Sequence, residues 1–84
     1  MDENLEIGRI GFDDNGKANV REPIIIKLSS YKNTKYLDIR KYYEKNDEWL
    51  PTTKSITLQL DQIDSLVEII NKNKEKIKEW FNKN

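Results

Sequence analysis

Between Lys17 and Lys54 the chain interleaves cations (Lys17, Arg21, Lys27, Lys32, Lys35, Arg40, Lys41, Lys45, Lys54) with the rings of Tyr31, Tyr36, Tyr42, Tyr43 and Trp49. Ring faces can stack unpaired bases and cations can meet phosphates, the mixture that sequence-independent single-strand binding needs. The same side chains have ordinary structural uses. Tyr36 suits cross-strand packing, Trp49 can anchor a loop, and Arg40 can pair with Asp38 or Glu22.

Other chemistries are thinner. The 84 residues contain no His and no Cys, which removes imidazole and thiolate metal sites, Ser-His and Cys-His dyads, and disulfides. No Asp/Glu run has calcium-loop spacing. Neither paired carboxylates nor a Ser/Lys pair stand in a catalytic arrangement. The chain reads as non-enzymatic, with no cofactor, metal or small-molecule substrate. Its longest apolar run, Ile24-Ile25-Ile26, is far below the roughly 18 residues of a membrane span. The acidic start Met1-Asp2-Glu3-Asn4 is unlike a signal peptide. These features predict a cytoplasmic protein that does not engage membranes; nucleoid association would follow only from nucleic-acid binding.

Fifteen bases balance 15 acids, and zero net charge argues against a nucleic-acid binder. The balance is uneven along the chain. Residues 17–54 hold nine bases and five acids, whereas residues 1–16 hold five acids and one base. Screening acts over about 8 Å at physiological salt, so a basic face on a neutral protein is physically sound.

The elements that must position these residues can be read from hydropathy. Residues 1–84 form one domain, below the usual size mode of about 100–150 residues, and a core this small favours oligomerisation. Leu5–Phe12 alternates as a first strand. Asn15-Gly16 signals a type I′ hairpin, and a second strand runs from about Lys17 to Ser29, with Pro23 marking an edge or bulge. Tyr31–Lys35 is a short polar connection. Tyr36–Tyr43 is a third strand with Leu37 and Ile39 on its core side, which puts Tyr43 on that side and Tyr42 beside Arg40. Glu44–Glu48 is a charged turn. In Lys54–Leu60, Ile56, Leu58 and Leu60 alternate with polar residues. From Asp61, a candidate N-cap, the period becomes helical, with Ile63, Leu66, Val67, Ile70, Ile77 and Phe81 on one face. Five lysines near the helix C-terminus suit its dipole. A helix of about 20 residues spans about 30 Å, more than a small sheet covers, so Ile77, Trp80 and Phe81 must bury elsewhere. A second copy of the helix is the simplest candidate. The fold class is α+β, ββββα.

Tyr31–Arg40 (YKNTKYLDIR), Tyr42-Tyr43 and Pro51–Leu60 (PTTKSITLQL) before an amphipathic helix resemble the C-terminal domain of the transcriptional coactivator positive cofactor four, a family with bacterial relatives. The resemblance covers about residues 20–75. It implies a homodimer of curved four-stranded antiparallel sheets, each followed by one long C-terminal helix at the dimer interface. It implies binding of single-stranded DNA or melted duplex through sheet aromatics and cations, and the residues themselves leave the choice between DNA and RNA open. On the family pattern Tyr31 is the turn aromatic and Lys32 the base after it. Arg40 is the Arg of Asp-Ile-Arg, Tyr42 and Tyr43 the following aromatics, and Lys54 the Lys of Lys-Gly-Ile-Ser. Ser55 stands for the usual Gly, Asn33-Thr34 for a Gly-Lys pair, and Thr52-Thr53 where basic residues are common. The expected role is in transcription, replication or repair. The competing reading is a protein-interaction module that keeps the fold without strong nucleic-acid binding.

Overall fold

The computed structural model describes residues 3–83, so Met1 and Asp2 of the acidic start lie outside it. Four strands, β1 (Glu3–Ile10), β2 (Ile24–Tyr31), β3 (Thr34–Lys45) and β4 (Glu48–Leu58), form one open sheet in the order β1-β2-β3-β4. Every neighbouring pair is antiparallel. Two helices follow, α1 (Leu60–Lys72) and α2 (Lys74–Phe81).

The two central connections are tighter than their composition suggests. Lys32 and Asn33 (φ 50° and 67°) join β2 to β3, and Asn46 and Asp47 (φ 54° and 64°) join β3 to β4. Two successive left-handed residues in a two-residue loop are the I′ geometry that matches strand twist. At the predicted I′ site only Gly16 has positive φ. There Asp13 Oδ1 accepts from the amides of Asn15 and Lys17, both at 2.9 Å. The Gly16 amide donates to the Asp13 carbonyl at 3.0 Å and the Asp13 amide to the Lys17 carbonyl at 2.7 Å, so a short hairpin does form there, but not of the I′ type. Residues 11–23 form a long loop with a single Phe12–Ala18 bridge, and β2 begins only at Ile24. Pro23 is fully buried just before β2, where its carbonyl accepts from the Tyr42 amide at 2.9 Å and its missing N–H costs nothing.

Strand alternation defines two faces. The first carries Leu5, Ile24, Ile26, Leu28, Leu37, Ile39, Tyr43, Ile56 and Leu58. The second carries Arg9, Ile25, Lys27, Ser29, Asp38, Arg40, Tyr42 and Trp49. Ile25, Ser29, Asp38 and Tyr42, all buried, lie on the second face. On the first, the expected core side, Leu58 is buried while Leu5, Leu28 and Ile56 are exposed. An open groove of about 340 Å³ runs there between Leu5, Leu28, Leu37, Leu58, Leu60 and Ile63.

The single long helix predicted from Asp61 is instead two, and it starts earlier. Gln59 is the N-cap, its amide donating to the Gln62 side chain at 2.9 Å. Asp61 stands inside the first turn rather than capping it. The helix breaks at Asn73, whose side chain donates to the Ile69 carbonyl at 2.8 Å while its amide is shared between Ile69 and Ile70. Asn competes with the helical ladder in this way, and the ladder yields there. Neither helix contains a buried residue. Among the described residues no helix is long and apolar enough to cross a membrane.

Candidate nucleic-acid interface

Tyr31 ends β2 and Lys32 opens the turn after it, both exposed. The Lys32 Nζ lies 5.2 Å from the centre of the Tyr31 ring. The hairpin thus offers a ring face and a cation side by side.

A second group surrounds an irregularity in the β3–β4 ladder. The pairing steps from Arg40–Ser55 to Tyr42–Pro51, so residues 52–54 bulge against Lys41 alone. Thr52 stitches this bulge, donating from Oγ1 to the Lys41 carbonyl at 2.7 Å and accepting from the Lys54 amide at 3.1 Å. Arg40 braces it from the second face. Its Nη1 donates to the Thr52 carbonyl at 2.7 Å and its Nε to Asp38 Oδ2 at 3.1 Å. These bonds engage two of the five guanidinium N–H donors. Asp38 Oδ1 is buried with no hydrogen-bond partner. Asp38, and not Glu22, is therefore the partner of Arg40. Glu22 instead meets Lys54, with Nζ 2.9 Å from Oε1. The Lys54 hydrogen bond holds the Glu22 carboxyl below its usual range, with the charges of Lys41 and Arg21 acting the same way.

The two tyrosines after Arg40 part company. Tyr42 is 6% exposed, paired across the ladder with Pro51, and Lys27 Nζ stands 5.4 Å from its ring centre. Its ring is packed within the chain. Tyr43 points to the opposite face, across from Leu50, and is 40% exposed. Of the two, Tyr43 has the accessible ring.

The groups are not contiguous in one chain. Tyr31 pairs with Thr34, and from there to Tyr43 along β3 is about 30 Å at roughly 3.3 Å per residue. Tyr36, facing Ser29 across the ladder, is half-buried, as a packing residue would be.

One cluster escaped the sequence reading. Phe12 meets Trp49 edge-on at 5.2 Å, and the Arg9 guanidinium lies 5.0 Å from the Phe12 ring centre. Arg9 also pairs with Glu6 at 2.7 Å, which raises the arginine's pKa and lowers that of the acid. This cluster anchors Trp49 against the loop. Phe12 was read as strand, and no local pattern announced a partner 37 positions away.

The fold defines an α+β protein, an open antiparallel meander with a C-terminal helical arm and aromatic-cation groups at a hairpin and a bulge. A family model described as Transcriptional Coactivator p15 (PC4) matches residues 18–69. The chain belongs to that family, a non-enzymatic DNA-binding and coactivator type. No curated protein matches the chain, nor does any solved structure. The matched segment runs from the end of the first loop into α1, and so includes Tyr31, Lys32, Arg40, Tyr42, Tyr43 and Lys54.

Proposed function

We propose that this protein is a homodimeric, sequence-independent single-stranded-DNA-binding protein, with RNA as a second ligand, acting in the cytoplasm at the nucleoid in transcription, replication or repair. Bases stack on Tyr31 and Tyr43, and Lys32, Arg40 and Lys54 hold phosphates. Tyr42 supports the sheet beneath Arg40 and takes no base. The observation that carries this reading is the pairing of exposed ring and cation at the hairpin, on positions matching the family pattern. Stacking is worth about 1–3 kcal/mol per base and tolerates any base.

The dimer is part of the proposal. An isolated helix of 13 residues is marginal in water, yet α1 has no buried residue and α2 ends on exposed Trp80 and Phe81. A second copy covering these side chains and the groove between Leu5, Leu28, Leu58, Leu60 and Ile63, which leaves Tyr43 outside it, supplies the missing burial. It also offers a way for the separated hairpin and bulge groups of two chains to line one path.

Fluorescence anisotropy of a labelled DNA of about 20 nucleotides tests the binding. The expected result is salt-sensitive binding that prefers single strand over duplex competitor and weakens in Tyr31→Ala/Lys32→Ala. No binding at low salt would favour the protein-interaction module. The self-paired cations Arg9, Arg40 and Lys54 are the observation on that module's side.

A further inference from the structure

Glu22 is an acid in a basic neighbourhood, and its location is well determined. It immediately precedes the fully buried Pro23, whose carbonyl is tied to the Tyr42 amide. Its carboxylate reaches across to Lys54 at the β4 bulge, 2.9 Å away. Two shallow grooves meet here. One is lined by Arg21, Glu22 and Lys41, the other by Arg40, Lys41 and Lys54, and both include Ile24. One carboxylate thus sits where three cations converge from the loop, β3 and β4. The ion pair is open to water, with the Lys54 side chain 63% exposed. The loop has other fastenings, through Pro23 and by the Asn19 amide to the Gly11 carbonyl at 2.8 Å.

We infer that Glu22 is the resident counter-anion of a phosphate site formed by Lys54 and Lys41 with Arg21 beside them, and that a nucleic-acid backbone binds there by displacing the carboxylate. The inference rests on the single-strand-binding reading above. It gives the neutral protein a built-in brake on affinity: a phosphate must compete with a tethered anion before it reaches Lys54. It also changes the salt dependence. A phosphate neutralised by a lysine releases a cation from the strand, but a charged Glu22 left beside that lysine offsets the lysine's charge. Occupying this site therefore adds little to the salt slope while Glu22 is charged.

The test is anisotropy with a labelled mixed-sequence DNA of about 20 nucleotides, across a salt series, on the full chain. Wild type, Glu22→Gln, Lys54→Ala and the double variant are compared, with thermal melts as the fold control. Exposed ion pairs are weak, so Glu22→Gln is expected to tighten binding at low salt by about twofold to fivefold. Its log–log salt slope should steepen by about 0.7, one phosphate's worth on a single strand. Both changes should vanish when Lys54→Ala is added. Glu22→Gln binding as wild type does, or a gain that persists without Lys54, overturns the inference while the binding reading stands. A lowered melting midpoint with unchanged affinity also overturns it, by making the pair a loop clamp. No binding by any variant at low salt overturns inference and reading together.

Discussion

At one end of the sheet residues 11–23 close on β3 through Pro23, and Ile25, Tyr42, Phe12 and Trp49 find partners within the chain. At the other end the helices carry Leu60 (73% exposed), Trp80 (68%) and Phe81 (74%) into solvent, and Leu60 and Ile63 border an open apolar groove. Local apolar content runs against the contrast, since residues 11–23 hold no Ile or Leu whereas the helices are rich in them. What differs is the number of covering elements. The loop end has strand, loop and hairpin in three directions. The helical end has a sheet on one side and nothing on the other. The loop end is finished within one chain, and the helical end is the surface the proposed second copy covers.

The largest effect should come from breaking the unfinished end. Leu66→Asp with Ile70→Asp puts two charges on the helix face proposed to meet its copy. Each buried apolar side chain contributes about 1.5–3 kcal/mol, so dimer affinity should fall at least a hundredfold. Sedimentation equilibrium at tens of micromolar should then give 10.0 kDa rather than twice that, and helical circular dichroism should drop. A wild type that already sediments at 10.0 kDa under those conditions would remove the dimer from the proposal.

Tyr42 and Tyr43, neighbours in sequence, sharpen the comparison within one strand. Tyr42→Ala empties a buried site and should cost about 3–5 kcal/mol in denaturant unfolding, as large-to-small aromatic substitutions do. Tyr43→Ala should cost under about 1 kcal/mol of stability and instead weaken DNA binding by about 1–3 kcal/mol. Tyr42→Phe should leave binding unchanged. The reverse assignment, with Tyr43 carrying stability and Tyr42 binding, would move that base from Tyr43 on the first face to Tyr42 on the second, beside Arg40.

This pair also marks how far the sequence could be read. Alternation put Tyr42 with Arg40 and Tyr43 with Ile39, and the register agrees. Which face would be more buried was not legible, because the cover over Ile25 and Tyr42 comes from the loop before Ile24, a stretch that reads as strand from about Lys17. The genuine I′ turns at Lys32-Asn33 and Asn46-Asp47 carry no glycine, so composition marked a polar connection and a charged turn there without their type. The four-strand order and helical ending were legible from period changes at Gln59–Asp61. The break at Asn73 was not, since one Asn among lysines is ordinary in a helix until its side chain turns back to Ile69. Of the site residues, Tyr31 and Lys32 keep the neighbourly geometry their spacing implied. Arg40 and Lys54 carry acid partners that spacing could not assign between Asp38 and Glu22.

A smaller effect probes how the loop end is closed. Gly11 has φ 93°, and a Cβ there would lie 2.7 Å from Val20 Cγ2 and 3.3 Å from Pro23 Cβ. Val20 is half exposed and can swing aside, so the backbone conformation sets most of the cost. Gly11→Ala should destabilise by about 1–3 kcal/mol, read in urea, without changing the dimer. Gly8→Ala, with open space around its Cβ and no positive φ, is the control and should be close to neutral.

The smallest effect is electrostatic and again confined to the loop end. Glu6 is held below the ordinary 4.5 by its hydrogen bond to Arg9, and Glu22 by its hydrogen bond to Lys54. A carboxyl whose pKa is depressed in the folded state adds stability above its unfolded value. That contribution is lost as pH falls through the folded one. Both pairs are exposed and screened, so each adds little. Melting midpoints of wild type and of Glu6→Gln/Glu22→Gln should differ slightly at pH 7 and converge as pH drops below about 4.5. A gap that widens on acidification would reverse the sign and mean that these acids are better accommodated in the unfolded chain. The helical end, joined by apolar contact, should keep its response to Leu66→Asp/Ile70→Asp unchanged across the same pH range.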